Sequence, residues 1–262
     1  MMTLTLGSGP FGPGGGAFGS GPPPEDWWYV EEWPRRMRAV LAGRTVLDSR
    51  RGKVLYRRGE PPRHWFPLAD VQTDLLLPAD GVRTGEGPEF WSVVVGGRTA
   101  PEAVTGPPAT HPDAPPLDDH VTIDFAAMDR WFEEDEPLYA GPRDPYHRVD
   151  VRASSRHVLV LHRDVPVAET LRPKLLFETG LPVRYYLPSA DVDLGLLERS
   201  GTVSECPYKG DGQHWHLVAD GVRVPDAAWS LPHPLPEALP AAEHLCFHGD
   251  KVHVEVDGER VR

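Results

Sequence analysis

Residues Cys206-Pro207-Tyr208-Lys209-Gly210 put a thiol and an ammonium three positions apart in one short turn. The chain has only two cysteines, so this meeting is not a by-product of abundance. Pro207 fixes its own φ and removes a backbone donor, which stiffens the turn. A nearby ammonium lowers a thiol's pKa and makes thiolate available. Lys209 together with Arg184 also suits an anionic group such as a carboxylate or phosphate. Tyr186, Tyr208, Trp215 and Trp229 are the side chains expected to wall an apolar pocket around that group. The expected ligand-binding set is therefore Arg184, Tyr186, Cys206, Tyr208, Lys209, Trp215 and Trp229, with Cys206 and Lys209 the candidate catalytic groups. The competing reading is a rigid turn whose cysteine packs inward and whose lysine faces water. On that reading the chain is a structural or protein-interaction module. The other cysteine, in Leu245-Cys246-Phe247, reads as an inert thiol in a buried strand.

Other constellations are thinner. His214 and His216 alternate as they would on one face of a strand, but no third metal ligand is evident, so no metal is assigned. Asp191-Val192-Asp193 after Gly180 resembles the paired carboxylates with which nucleotidyltransferases hold magnesium. The alternative there is an exposed helix start whose acids complement the macrodipole. No Ser-His-Asp triad, phosphate loop or dinucleotide fingerprint is present, and the sequence names no cofactor. Whether the chain is an enzyme stays open at this level.

Composition narrows the partners. The 262 residues carry a formal charge of −12, against the basic face that nucleic acid or an anionic membrane requires. No apolar run approaches the roughly 20 residues of a membrane helix, and the N-terminus lacks the pattern of a secretory signal, so a cytoplasmic protein is expected. A small-molecule ligand is a partner the composition allows, and the oligomeric state is open.

The elements that must position the turn come from a repeat. Arg35–Leu76 lies over Arg156–Leu197 at a constant offset of 121, and 14 of the 42 positions are identical. Gly59/Gly180, Pro61/Pro182, Arg63/Arg184 and Asp70/Asp191 are among them. The match resumes at an offset of 124, where Trp91 falls on Trp215 and His120 on His244. Repeats fix architecture, so two copies of one domain are expected in tandem. Short segments such as Lys174–Glu178 and Val183–Leu187, and a hairpin over 214–224 on Asp220-Gly221, read as strands. Ser189–Leu197 reads as a helix capped by Ser189. The expected fold is mainly β: two tandem small antiparallel β domains with one short helix each. A Gly/Pro-rich tail occupies 1–24 and is expected to be disordered, because it has too little apolar surface to offset ordering. The first domain takes 25–136 and the second 137–262. Pro107–Pro116 reads as a loop that both copies share.

These residues carry a family resemblance. Phe177-Glu178-Thr179-Gly180-Leu181-Pro182-Val183-Arg184-Tyr185-Tyr186-Leu187-Pro188, then Cys206-Pro207-Tyr208-Lys209-Gly210, His214-Trp215, Ala227-Ala228-Trp229 and Pro232-His233-Pro234-Leu235-Pro236-Glu237, resemble the domain-of-unknown-function family 427. Trp131–Glu136 and Pro142–Asp150 resemble the linker of its tandem version. The resemblance implies a β-tent or open-barrel fold and no established activity. His214 departs from a usual tyrosine, and Leu231 from a usual aromatic. The first copy departs further. It is three residues shorter at the turn and reads Arg83-Thr84-Gly85-Glu86-Gly87-Pro88, with no Cys or Lys. A site at that turn is thus expected in the second copy alone.

Overall fold

The computed structural model describes residues 27–79, 88–106 and 117–261. The tail over 1–24, all but Pro88 of the first copy's turn, and the loop over 107–116 lie outside the described residues. The chain divides into two compact units, the first ending at Asp144 and the second running Pro145–Arg262. The first unit keeps the segment just beyond Glu136 for a local reason. Glu136–Pro137 pairs with Arg130–Glu133, and the Leu138 N–H donates to the Trp131 carbonyl.

The first unit holds β1 (Trp28–Trp33), β2 (Met37–Leu41), β3 (Arg44–Ser49), β4 (Gly52–Arg57), β5 (Arg63–Pro67), β6 (Leu76–Pro78), β7 (Phe90–Val95), β8 (Arg98–Thr105), β9 (His120–Ile123), β10 (Arg130–Glu133) and β11 (Glu136–Pro137). The second holds β12 (Val149–Ala153), β13 (Val158–His162), β14 (Val165–Thr170), β15 (Lys174–Glu178), β16 (Arg184–Pro188), β17 (Leu197–Ser204), β18 (Gly212–Ala219), β19 (Val222–Ser230), β20 (His244–Phe247), β21 (His253–Val256) and β22 (Glu259–Val261). In the first unit a seven-stranded sheet runs β1-β4-β5-β9-β8-β7-β6. Its counterpart in the second runs β12-β15-β16-β20-β19-β18-β17, the same topology. The smaller sheets, β3-β2-β10-β11 and β14-β13-β21-β22, also correspond. All the pairings are antiparallel, so the chain is a tandem mainly-β protein of the open-barrel kind.

Even the irregularities repeat. The register shifts between Ala39 and Val40 and again between Val160 and Leu161, which are equivalent positions. It shifts between Trp91 and Val93 and between Trp215 and Leu217, also equivalent. Such bulges bend and twist a strand and are built features. The β18–β19 hairpin closes on Asp220 and Gly221, both at positive φ (51° and 71°), the geometry a two-residue hairpin favours.

Alternation gives the second unit's large sheet two apolar faces. Leu187, Leu217, Leu245 and Phe247 lie on one, packed with Val160 and Val254 of the smaller sheet. Each such burial contributes about 1.5–3 kcal/mol relative to exposure. Val151, Leu176, Tyr186 and Cys246 lie on the other, covered by Ala238 and Ala241 of a 3-10 turn over Pro236–Ala241. No helix among the described residues is long and apolar enough to cross a membrane.

The helix expected over 189–197 is instead two 3-10 turns, Ser189–Asp191 and Leu194–Leu196. Val192 between them is extended and bridges Ala168, which an α-helix would forbid. Asp193 then caps the second turn by accepting from the Gly195 N–H at 3.0 Å. Asp191 is equally committed. It accepts from Thr170 Oγ1 at 2.7 Å and from Arg172 Nε and Nη2 at 3.0 and 2.8 Å. Ser49, Arg51 and Asp70 repeat the motif in the first unit. A carboxylate pair used in this way is a clasp between strand and turn rather than a vacant magnesium cradle.

Arg172, then Thr170, hold the Asp191 carboxyl down at about 2. A depressed carboxyl adds stability that is present above its ordinary 3.8 and lost as pH falls through about 2. Arg172 is largely exposed, so screening keeps the gain small. We expect Asp191→Asn to lower unfolding free energy by about 1 kcal/mol in urea denaturation, and Asp193→Asn to lower it less. Equal effects would remove the clasp's special role.

Candidate functional site

The second apolar face of the large sheet carries the candidate site. Pairing sets one row across it: Lys174 opposite Tyr186, Tyr186 opposite Cys246, Cys246 opposite Trp229, and Trp229 opposite His214. Arg184 stands opposite Leu176, two residues along from Tyr186 and so on the same face. This is why residues far apart in the chain meet.

Over that face folds the turn Cys206–Gly210, closed by the Gly210 N–H donating to the Cys206 carbonyl at 2.9 Å. It is tied to the next loop by the Leu235 N–H donating to the Lys209 carbonyl at 3.1 Å. Gly210 has φ +90°, and a Cβ there would lie 2.8 Å from the His233 carbonyl oxygen. Only glycine satisfies both conditions. Cys206 packs half-buried against the cluster that holds Tyr186, Tyr208, Leu231 and Cys246.

Lys209 has an internal partner. Its ammonium forms a short ion pair with Glu178, whose other carboxylate oxygen meets His147 Nε2 at 3.1 Å. The side chains of His147 and Glu178 are 1% and 5% exposed, and that of Lys209 is 19% exposed. His147 also lies against Tyr208, ring centroids 4.1 Å apart. Burial pushes the Glu178 carboxyl up. The His147 hydrogen bond and the Lys209 charge outweigh it, so the group ends below the usual glutamate range. Sequence reasoning missed Glu178 and His147 as members of this cluster. The one signal available was that Glu178 lies within the family-like stretch, with Arg57 in its place in the first copy.

Arg184 differs from Lys209. Its guanidinium carbon lies 5.5 Å from the centre of the Trp229 ring. Among the described residues no carboxylate stands within ion-pair reach of it. Trp229 is fixed by donating its indole N–H to the Tyr186 hydroxyl at 2.9 Å. Tyr186 is buried, and burial pushes its phenol well up, so it stays neutral. His248 lies 4.4 Å from Trp229 and 6.1 Å from His214, by ring centroids. Burial above all pushes His248 down to about 4, and burial also lowers His214. Trp215 stands apart from this group. It packs into the core between the sheets and donates to Ser230 Oγ at 3.0 Å. His216 accepts from the Asp226 N–H at 3.0 Å, and no metal-holding group of three or more His, Cys, Asp or Glu occurs among the described residues.

The first unit's equivalent face is different. Trp65 stands for Tyr186, Arg57 for Glu178, Thr105 for Trp229, Phe90 for His214 and Thr122 for Cys246. Leu55, Trp65 and Leu117 close it as a small apolar cluster. Arg57 lies over Trp28 and pairs with Glu60. A family described as "Domain of unknown function (DUF427)" matches residues 29–134 and 150–258. The chain belongs to the DUF427 family. Both copies are DUF427 domains, and the first is the diverged one at the face just described. No curated protein matches the chain.

Two measurements test the geometry of this DUF427 site. Removing one partner of a buried ion pair strands the other, so Lys209→Met should cost about 3 kcal/mol of stability. Adding Glu178→Gln should restore more than half of that in a double-mutant cycle. The same pair sets a pH dependence. Its contribution is full above glutamate's ordinary 4.5 and falls away as pH drops through the lower folded value. Glu178→Gln should therefore flatten the acid limb of the stability curve. Independently, burial pushes the Cys246 thiol up to about 12. An alkylating reagent at neutral pH should label half-buried Cys206 well before Cys246. Faster labelling of Cys246 would contradict the packing described here.

Proposed function

We propose that the second domain binds a small anionic metabolite, with Arg184 as the group that receives the anion. The observation that carries this reading is a contrast between the copies. Arg63, the equivalent arginine, has Glu60 at 3.9 Å. The residue equivalent to Glu60 in the second copy is Leu181, and among the described residues no carboxylate pairs with Arg184. A cation left unpaired on an acidic chain, over a fixed indole, suits a carboxylate or phosphate. Lys209 enters this reading as the counter-ion of Glu178. It pins the turn that bears Cys206 and Tyr208 over the same face. The reading assigns no reaction.

A screen of anionic metabolites by thermal shift, followed by calorimetric titration, tests the proposal, since a ligand that binds only the native state raises the melting temperature. Arg184→Ala should weaken the best anion by about 1.5–3 kcal/mol, the range of a charge-assisted hydrogen bond. Arg63→Ala should leave affinity unchanged. Equal loss from both variants, or no anion bound by the parent chain, would point to a structural or protein-interaction role instead.

A further inference from the structure

We infer that the anion received at Arg184 is carried on a flat aromatic or heteroaromatic ring, as in an aromatic monocarboxylate, rather than on an aliphatic chain. This rests on the anion-binding reading above and narrows it.

Arg184 lines a small hollow with Val183, Leu187 and Phe247, and its guanidinium also meets the first of a row of rings. The guanidinium lies over Trp229, His248 lies 4.4 Å from Trp229 at 46°, and His214 follows at 6.1 Å and 14°. The indole is held in place by its hydrogen bond to Tyr186, so the ring surface is preorganised rather than adaptable. A guanidinium beside aromatic faces favours a ligand that is itself planar. Stacking and cation–π attraction both reward a ring, and an aliphatic acid gains neither.

The imidazoles add polarity without charge. Both are neutral near pH 7, so they do not compete with Arg184 for the anion. His214 Nε2 meets Ser204 Oγ at 3.0 Å, while its buried Nδ1 has no hydrogen-bond partner. The ring nitrogens of His248 make no hydrogen bond among the described residues. A buried polar atom without a partner, here His214 Nδ1, costs free energy, and a ligand that supplies the missing bond removes that cost. A ring bearing a nitrogen or hydroxyl, with one carboxylate, meets both demands. In the first copy Thr105, Phe90 and Asp124 occupy the positions of Trp229, His214 and His248, so the arrangement belongs to the second copy alone.

The test uses the full chain and four probes: benzoate, nicotinate, cyclohexanecarboxylate and acetate. Calorimetry gives affinity, and the indole N–H resonance of Trp229 reports location. Benzoate or nicotinate should bind about tenfold tighter than cyclohexanecarboxylate, the effect of about 1.4 kcal/mol of ring contacts. Trp229→Leu should erase that preference, and His248→Leu should reduce it if the tryptophan variant fails to fold. Arg184→Ala should lose all four probes. Equal affinity for benzoate and cyclohexanecarboxylate would overturn the aromatic inference and leave the anion site standing. So would a preference that survives both ring substitutions. Failure of every anion to bind would overturn this inference and the anion-binding reading together.

Discussion

A sheet with apolar side chains on both faces must be covered twice, and the second domain is organised by that requirement. The smaller sheet covers one face of the large sheet. The other face, with Val151, Leu176, Tyr186 and Cys246, is left to loops. Loops cover a sheet poorly unless something pins them, because their backbone groups need partners. Here the pins are polar. Glu178 takes the Lys209 ammonium and the His147 ring, and backbone bonds tie the turn to the Pro-rich loop beyond it. The carboxylate is nearly out of water, so the arrangement holds only while both partners are present. The placement of the turn over this face therefore depends on one buried charge being matched.

The first domain shows what happens when the same face is covered without that match. Arg57 replaces Glu178, and Trp65 and Leu117 fill the space with apolar bulk. Topology, bulges and the Ser49–Arg51–Asp70 clasp are unchanged. The scaffold is thus indifferent to the polar cluster, and the cluster is an addition to one copy. What folds the domain is thus separate from what equips one face of the second copy.

Much of the scaffold was legible in the sequence because it is written locally. Lys174–Glu178 is a short apolar-centred segment bounded by the Gly180-Leu181-Pro182 turn, and Asp220-Gly221 marks its hairpin. The gapless match over Arg35–Leu76 gave the tandem architecture without any structural knowledge. The turns over 189–197 were misjudged because Ser189, Val192 and Leu196 fit a helical face. The deciding contact, Val192 to Ala168, is long-range. The site was partly legible for the same reason. Tyr186, Cys206, Tyr208 and Trp229 do gather, since each is an unusual residue in a family-like stretch. Trp215 faces the inter-sheet core, because it alternates with His214 along β18. Glu178 and His147 escaped notice because a carboxylate and a histidine 31 positions apart carry no local sign of pairing.

The exchange of Glu178 for Arg57 has a consequence for assembly of the chain. Two domains of identical topology in tandem invite strands of one to lodge in the other, a characteristic failure of repeat proteins. Strand β4 has the length and partners to imitate β15. Lodged in that place, it would bring Arg57 where Glu178 stands, against the Lys209 ammonium. Two cations would then face each other in a nearly dry setting, with the histidine left unmatched. Such a mispaired state would be penalised at one of the positions where the copies differ. Divergence there disfavours an exchange of parts between the two folds.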